Sequence, residues 1–76
     1  MVNEWLHDRT KVLDSYIAAL KAGRCDNPQR FVWEEDVPPP LTRLAYHAAI
    51  LVHARRGGVK VTDDKEGFSI SLPNHE

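Results

Sequence analysis

The segment that decides the fold is LTRLAYHAAILVHARR, residues 41–56, with Pro40 before it and Gly57-Gly58 after it. Proline suits the start of a helix and glycine its end, so this segment is predicted to be an α-helix. At 100° per residue, seven of its apolar side chains share an arc of about 160°. We predict that this arc faces the core; it comprises Leu41, Leu44, Ala45, Ala48, Ala49, Leu51 and Val52.

The opposite side of the same helix is not polar either. Tyr46 and Ile50 lie there one turn apart. A helix that is apolar nearly all round is either central in its fold or in contact with a partner. We therefore predict an exposed docking strip on this side, extended by the basic end of the helix. The predicted partner-binding residues are Arg43, Tyr46, His47, Ile50, His53, Arg55 and Arg56.

A second helix is predicted over residues 4–22, with Asn3 as its N-cap and Gly23 as the residue that ends it. Its apolar side chains fall within an arc of about 140°. Arg9 lies inside that arc, and two interpretations of it stay open. Its stem covers the core while the guanidinium reaches water, or it pairs with the acidic run Glu34-Glu35-Asp36. The arc comprises Trp5, Leu6, Val12, Leu13, Tyr16, Ile17 and Leu20.

The C-terminal part alternates apolar and polar residues over 59–62 and 68–72, which predicts a β-hairpin. Gly67 is expected to take a left-handed conformation in its turn. Residues 28–33 fit either a short helix after Pro28 or an edge strand. We predict an α+β fold in a single domain, residues 1–76: two main helices packed on a C-terminal two-stranded hairpin, with a short third helix or edge strand near 28–33. The hairpin residues predicted to face the core are Val59, Val61, Phe68, Ile70 and Leu72.

Composition limits the functional classes. The 76 residues include 10 Lys+Arg and 11 Asp+Glu, a net charge of −1, whereas a dedicated nucleic-acid binder usually carries a basic excess. The single cysteine allows no intramolecular disulfide. The longest apolar run, residues 48–52, is far shorter than the roughly 20 residues of a membrane span. Residues 1–5 lack a basic and an apolar region, so we expect them not to be a signal peptide. A cytoplasmic location without membrane contact is predicted.

No motif in the chain indicates catalysis or metal binding. His47 and His53 are six residues apart, whereas a zinc pair on a helix needs a spacing of three or four. Cys25 has no second cysteine beside it, and no spacing aligns a nucleophile with a histidine and an acid. The sequence therefore predicts no enzyme, no cofactor and no metal site.

The remaining features favour a binding protein. We predict a non-enzymatic protein-binding module that inhibits or regulates a larger protein machine. Phages and mobile elements encode small inhibitors of this kind. A homodimer through the helix of residues 41–56 is one mode of association. The alternative is a small DNA-binding transcriptional regulator, because helices followed by a hairpin resemble a winged helix in outline. Against that alternative, the hairpin tip Asp63-Asp64-Lys65-Glu66 is acidic and would repel phosphate.

Overall fold

The computed structural model describes residues 2–73, which form two helices and one three-stranded antiparallel sheet. The predicted α+β class is confirmed. The strand order is β1-β3-β2, so the last strand along the chain is the central one. The elements are α1 (Val2–Lys21), β1 (Gln29–Val32), α2 (Arg43–Arg56), β2 (Lys60–Asp63) and β3 (Gly67–Ser71).

Helix α1 begins earlier than predicted and ends as predicted. It starts at Val2, so Asn3 lies inside the helix and the expectation that it is the N-cap was wrong. Gly23 adopts a φ of 70°, which costs glycine little because it has no Cβ. The N–H of Arg24 donates to the carbonyl of Ala19 at 2.8 Å and closes the helix end. The buried residues of this helix are Leu13, Ile17 and Leu20.

Residues 29–32 form an edge strand, so the strand alternative for this region was right and the helix alternative wrong. β1 pairs antiparallel with β3, and Phe31 lies opposite Phe68. The two rings stack with centroids 4.9 Å apart and an interplanar angle of 8°. Cross-strand aromatic pairs stabilise a sheet, which explains why so short a segment is a strand. Trp33 extends the pairing, because its N–H donates to the carbonyl of Glu66 at 3.0 Å.

The hairpin is confirmed, with a different role for its glycine. Gly67 does not have a positive φ; among the described residues only Gly23 and Gly58 do. Instead, a Cβ at Gly67 would collide with the carbonyl oxygen of Phe31, so this position needs glycine for close approach between β1 and β3. The turn is held by the Asp64 carboxylate, which accepts from the N–H groups of Glu66 and Gly67 at 2.9 Å each. The inward set is also confirmed: Val59, Phe68 and Ile70 are buried, and Val61 and Leu72 pack partly buried against the core.

Helix α2 presents to the core the face opposite to the one predicted. It begins at Arg43, with the Thr42 hydroxyl accepting the Ala45 N–H at 3.1 Å as the N-cap. The side chains that it buries are Tyr46, Ile50 and Ala54. The prediction that the seven-residue arc packs in the core was wrong for the members that are exposed, Leu44, Ala45, Ala48 and Val52; Leu41, Ala49 and Leu51 are half-buried.

An aromatic cluster explains this orientation. The six aromatic residues of the chain and one histidine form a continuous series of ring contacts that joins α1, α2 and the sheet. Tyr46 is central, with its ring 5.0 Å from that of Trp5 and 5.6 Å from that of Trp33. Large rings bury far more area than alanines, so the side of α2 that carries Tyr46 turns inward. The cluster comprises Trp5, Tyr16, Phe31, Trp33, Tyr46, His47 and Phe68.

Candidate interaction surfaces

The seven residues predicted to bind a partner do not form one surface. Tyr46 and Ile50, the centre of the predicted strip, are each only 3% exposed and belong to the core. They therefore cannot form the exposed strip that was predicted on this side of α2. The physical reason is their bulk, which makes theirs the face that folding buries.

The two predicted histidines are engaged within the chain. His53 Nε2 lies 2.6 Å from Asp14 Oδ1 and links α2 to α1. The ring of His47 stacks on Trp33, with centroids 3.8 Å apart and an interplanar angle of 16°. Its Nε2 is buried and has no hydrogen-bond partner in the part of the chain that the structure describes. Burial, aided by the nearby charge of Arg43, lowers the pKa of His47 below its usual 6.5.

The three predicted arginines are exposed but lie at opposite ends of α2. Arg43 stands at the first position, beside Glu35 and Glu66 in a shallow depression. Arg55 and Arg56 form the last turn, where the helix dipole favours cations. Residues 41–60 contain no acid, so the helix itself supplies no counter-charge for them. The C-terminal end of α2 is therefore a basic site.

An exposed apolar strip runs along the outer face of α2. We define the outer strip as Leu44, Ala45, Ala48 and Val52, all of which are exposed. Leu44 is 79% exposed and Val52 44%. Spacings of four residues place Leu44, Ala48 and Val52 in one line on the helix surface. The sequence shows that α2 is apolar on two sides. The arc of seven small and medium residues was predicted to face the core, but four of the seven are exposed.

A groove that was not predicted from the sequence opens between α1 and β1. We call it the α1–β1 groove; its volume is about 310 Å³. Val12 and Val32 stand at its rim, 53% and 74% exposed. Val12 and its neighbour Tyr16, 40% exposed, had been expected in the core arc of α1. The floor is apolar and is formed by Leu13, Phe31, Tyr46, Ile50 and Phe68.

An ion pair stands at the rim of this groove. The guanidinium of Arg9 donates to both carboxylate oxygens of Glu34, at 2.9 and 2.8 Å, and this bonding raises the pKa of Arg9. Arg9 also lies 4.2 Å above the Trp5 ring and donates to the Trp5 carbonyl. The ion-pair interpretation of Arg9 is thus confirmed for Glu34. Both side chains stay partly exposed, at 30% and 44%, so the pair is not a buried one.

Residues 2–73 provide few groups that are arranged for metal binding or for reaction as a nucleophile. Within residues 2–73 no group of three or more His, Cys, Asp or Glu side chains is arranged to hold a metal ion. Cys25 is a free, half-buried thiol. In the same residues, neither helix has the length and apolar character needed to cross a bilayer.

What the chain offers is therefore two exposed apolar surfaces, the outer strip and the α1–β1 groove. Leu44 and Val52 belong to the first; Val12 and Val32 border the second. The chain matched no protein-family model, no curated protein and no solved structure.

Proposed function

We propose that this chain is a non-enzymatic protein-binding module, a small inhibitor or regulator of a larger protein machine, which docks through the outer strip of α2. The observation that carries the proposal is Leu44, 79% exposed on a helix whose other side is already buried. Full burial of a leucine is worth about 1.5–3 kcal/mol, so a partner that covers it gains affinity. Val52 and the two alanines continue the same surface.

The residues around the outer strip indicate the partner's chemistry. Ala45 and Ala48 are small, so another helix can approach the backbone of α2 closely. Arg55 and Arg56 flank one end of the strip, and the helix provides no acid to neutralise them. Charge complementarity therefore favours a partner that presents an apolar helix face bordered by acidic side chains.

A second copy of the chain is a poorer fit for this surface. A two-fold dimer through α2 with antiparallel helices would set Arg55 and Arg56 of one copy against the N-terminal end of the other helix. That end carries partial positive charge, and the arrangement is repulsive. A foreign partner is the occupant we propose, and the homodimer becomes a result that the experiment can return.

The DNA-binding alternative gains no support from the fold. Its helix-turn-helix required residues 28–33 to be helical, and they include β1 instead. Between the arginines at its two ends, the exposed face of α2 carries leucine, alanine and valine, which offer no hydrogen bonds to base edges. Salt separates the two functions, because phosphate binding weakens steeply between 50 and 200 mM salt and apolar docking does not.

The cellular compartment is part of the same proposal. A lone cysteine that is a free thiol is typical of a reducing compartment, and we propose the cytoplasm. Fractionation of cells that express a tagged chain tests this point directly.

The function is tested by Leu44→Asp with Ala18→Asp as its matched control. Ala18 is exposed on α1 and not part of either apolar surface, so the control adds the same charge to a helix elsewhere. Circular dichroism should show that both variants fold. Partner capture by cross-linking and mass spectrometry at 0.3 M salt should succeed with wild type and Ala18→Asp and fail with Leu44→Asp.

Two results would overturn the proposal. Capture by Leu44→Asp that equals wild-type capture would remove the outer strip as the binding surface. A wild-type mass of twice 8.7 kDa in light scattering that Leu44→Asp returns to 8.7 kDa would make a second copy the occupant.

A further inference from the structure

The open edge of β1 carries unpaired backbone groups. Neighbouring residues of an antiparallel strand direct their N–H and C=O groups alternately toward the partner strand and away from it. The Trp33 N–H donates to Glu66 of the hairpin, so in the same register Phe31 and Gln29 bond to β3. The N–H and C=O groups of Arg30 and Val32 therefore point away from the sheet. β1 has β3 as its one neighbour in the sheet, and these groups are free to pair with an added strand.

An apolar overhang lies beside this edge. Tyr16 of α1 meets the Phe31 ring edge-on, with centroids 5.2 Å apart, so α1 reaches β1 at this point. One turn earlier, Val12 lines the α1–β1 groove together with Val32. Strands of a sheet lie about 4.8 Å apart, so a strand added to β1 would enter the space that Val12 and Tyr16 leave exposed. Val12 and Tyr16, 53% and 40% exposed, are thus apolar side chains of α1 that the three-stranded sheet leaves uncovered.

The size of the groove limits what it can hold. Its volume of about 310 Å³ is at the small end of the range for ligand sites, roughly 300–1,000 Å³. The floor of Leu13, Phe68 and Ile50 is apolar. Such a space suits the alternate side chains of an extended segment, which project to one face of a strand.

The charges at the rim set a preference on the segment. The groove lining contains two carboxylates, Asp8 and Glu34, and one guanidinium, that of Arg9, which is bonded to Glu34, so its net charge is negative. Asp8 forms no ion pair within residues 2–73, and Glu35 and Asp36 follow β1 closely along the chain. The edge of the groove is acidic, so a basic residue on the incoming segment is complementary to it.

We propose that β1 accepts an extended segment of a partner protein as a fourth strand, with alternate apolar side chains in the α1–β1 groove and a basic residue near Asp8. Main-chain hydrogen bonds to Arg30 and Val32 give the affinity, and the groove and its acidic rim give the preference for sequence. This surface is separate from the outer strip of α2. Binding at the β1 edge can therefore occur whether or not the outer strip binds a partner.

The test uses a blocked hexapeptide, KTVTVT, whose lysine and two valines share one face of an extended strand. It is titrated into the full chain labelled with ¹⁵N and ¹³C and followed by NMR. Saturable shifts are expected at the Arg30 and Val32 amides and at the Val12 methyl groups. Two N-methylated forms of the peptide block alternate sets of amides. One form should lose binding and the other should retain it, because a strand bonds through only one set. Exchange of the peptide lysine for glutamate should weaken binding at low salt.

The N–H of Val32 points away from β3, so Val32→Pro removes a donor from the open edge of β1 and breaks no hydrogen bond to β3. Proline is tolerated at such an edge position. Val32→Thr is the matched control that keeps the N–H. Affinity for KTVTVT should fall about tenfold in the first variant and change little in the second. If Val32→Pro does not fold, the two methylated peptides decide the question with the wild-type chain.

Three results would overturn the inference. The first is the absence of saturable shifts at the Arg30 and Val32 amides with KTVTVT. The second is equal binding of all three peptides, which would show that no backbone pairing occurs. The third is a shift of these amides with protein concentration in the absence of peptide, which would assign the edge to a second copy of the chain.

Discussion

Truncation of one residue on each side of α2 tests which side is the core. Ile50 is 3% exposed and Leu44 is 79% exposed, and the two lie six positions apart on the same helix. The perturbations are Ile50→Ala and Leu44→Ala. Both remove three carbon atoms, so a difference between them reports the environment rather than the size of the change.

The expected magnitudes follow from burial. Loss of three buried carbons at about 0.8 kcal/mol each amounts to about 2.4 kcal/mol for Ile50→Ala. The cavity left behind extends the range to about 2–5 kcal/mol. Leu44→Ala changes a side chain that is mostly in water, and its effect should stay within about 0.5 kcal/mol. A chain of this size has a free energy of unfolding of roughly 4–11 kcal/mol, so the loss at Ile50 is a large share of it.

Urea unfolding measures both variants. Trp33 is buried in the aromatic cluster, so its fluorescence reports the loss of the core. With a urea dependence of about 1 kcal/mol per molar, the midpoint should fall by more than about 2 M for Ile50→Ala and by less than about 0.5 M for Leu44→Ala. Equal shifts, or a larger shift for Leu44→Ala, would refute the assignment of the two faces.

Three further predictions concern single side chains. Arg9→Leu should cost at most about 1 kcal/mol in urea unfolding, because the pair with Glu34 is half exposed; a loss of several kcal/mol would mean that the pair acts as a buried one. His47→Phe keeps the stack on Trp33 and removes the unpaired Nε2. The wild-type free energy of unfolding should fall as the pH drops below 6.5, because the unfolded chain binds a proton at His47 more readily than the folded chain. If the free energy of unfolding of His47→Phe falls equally over this pH range, the prediction is contradicted. Asp64 has its pKa lowered to about 2 by Arg30 and by two backbone N–H groups, so its contribution is complete above pH 4 and lost toward pH 2. Asp64→Asn should flatten the acid side of a melting-temperature profile against pH, and an unchanged profile would contradict the assignment.

The elements of the fold were largely readable from local pattern. Alternation over the C-terminal residues predicted β2 and β3, and Pro40 with Gly57 bounded α2 to within two residues. β1 was ambiguous because four residues are too few for a period to appear, and its strand state depends on the distant partner Phe68. Such a partner leaves no mark on the local sequence.

The candidate surfaces were harder to predict for a different physical reason. Counting apolar positions gives Ala48 the same weight as Tyr46, although burial rewards area. The face of α2 that is buried is the one that contacts Trp5 and Trp33, which come from other parts of the chain. A weighting by side-chain size would have turned the helix the right way. The α1–β1 groove had no such signal, because it exists only between elements that the chain brings together.

The central position of β3 sets the order in which this protein folds during synthesis. Phe31 emerges from the ribosome long before Phe68, the residue with which it stacks. Until Gly67–Ser71 has left the exit tunnel, β1 and β2 have no strand between them, and the helices lack the complete sheet against which they pack. We expect the nascent chain to bind chaperones through its unsheltered rings and to acquire its structure in one late, cooperative step.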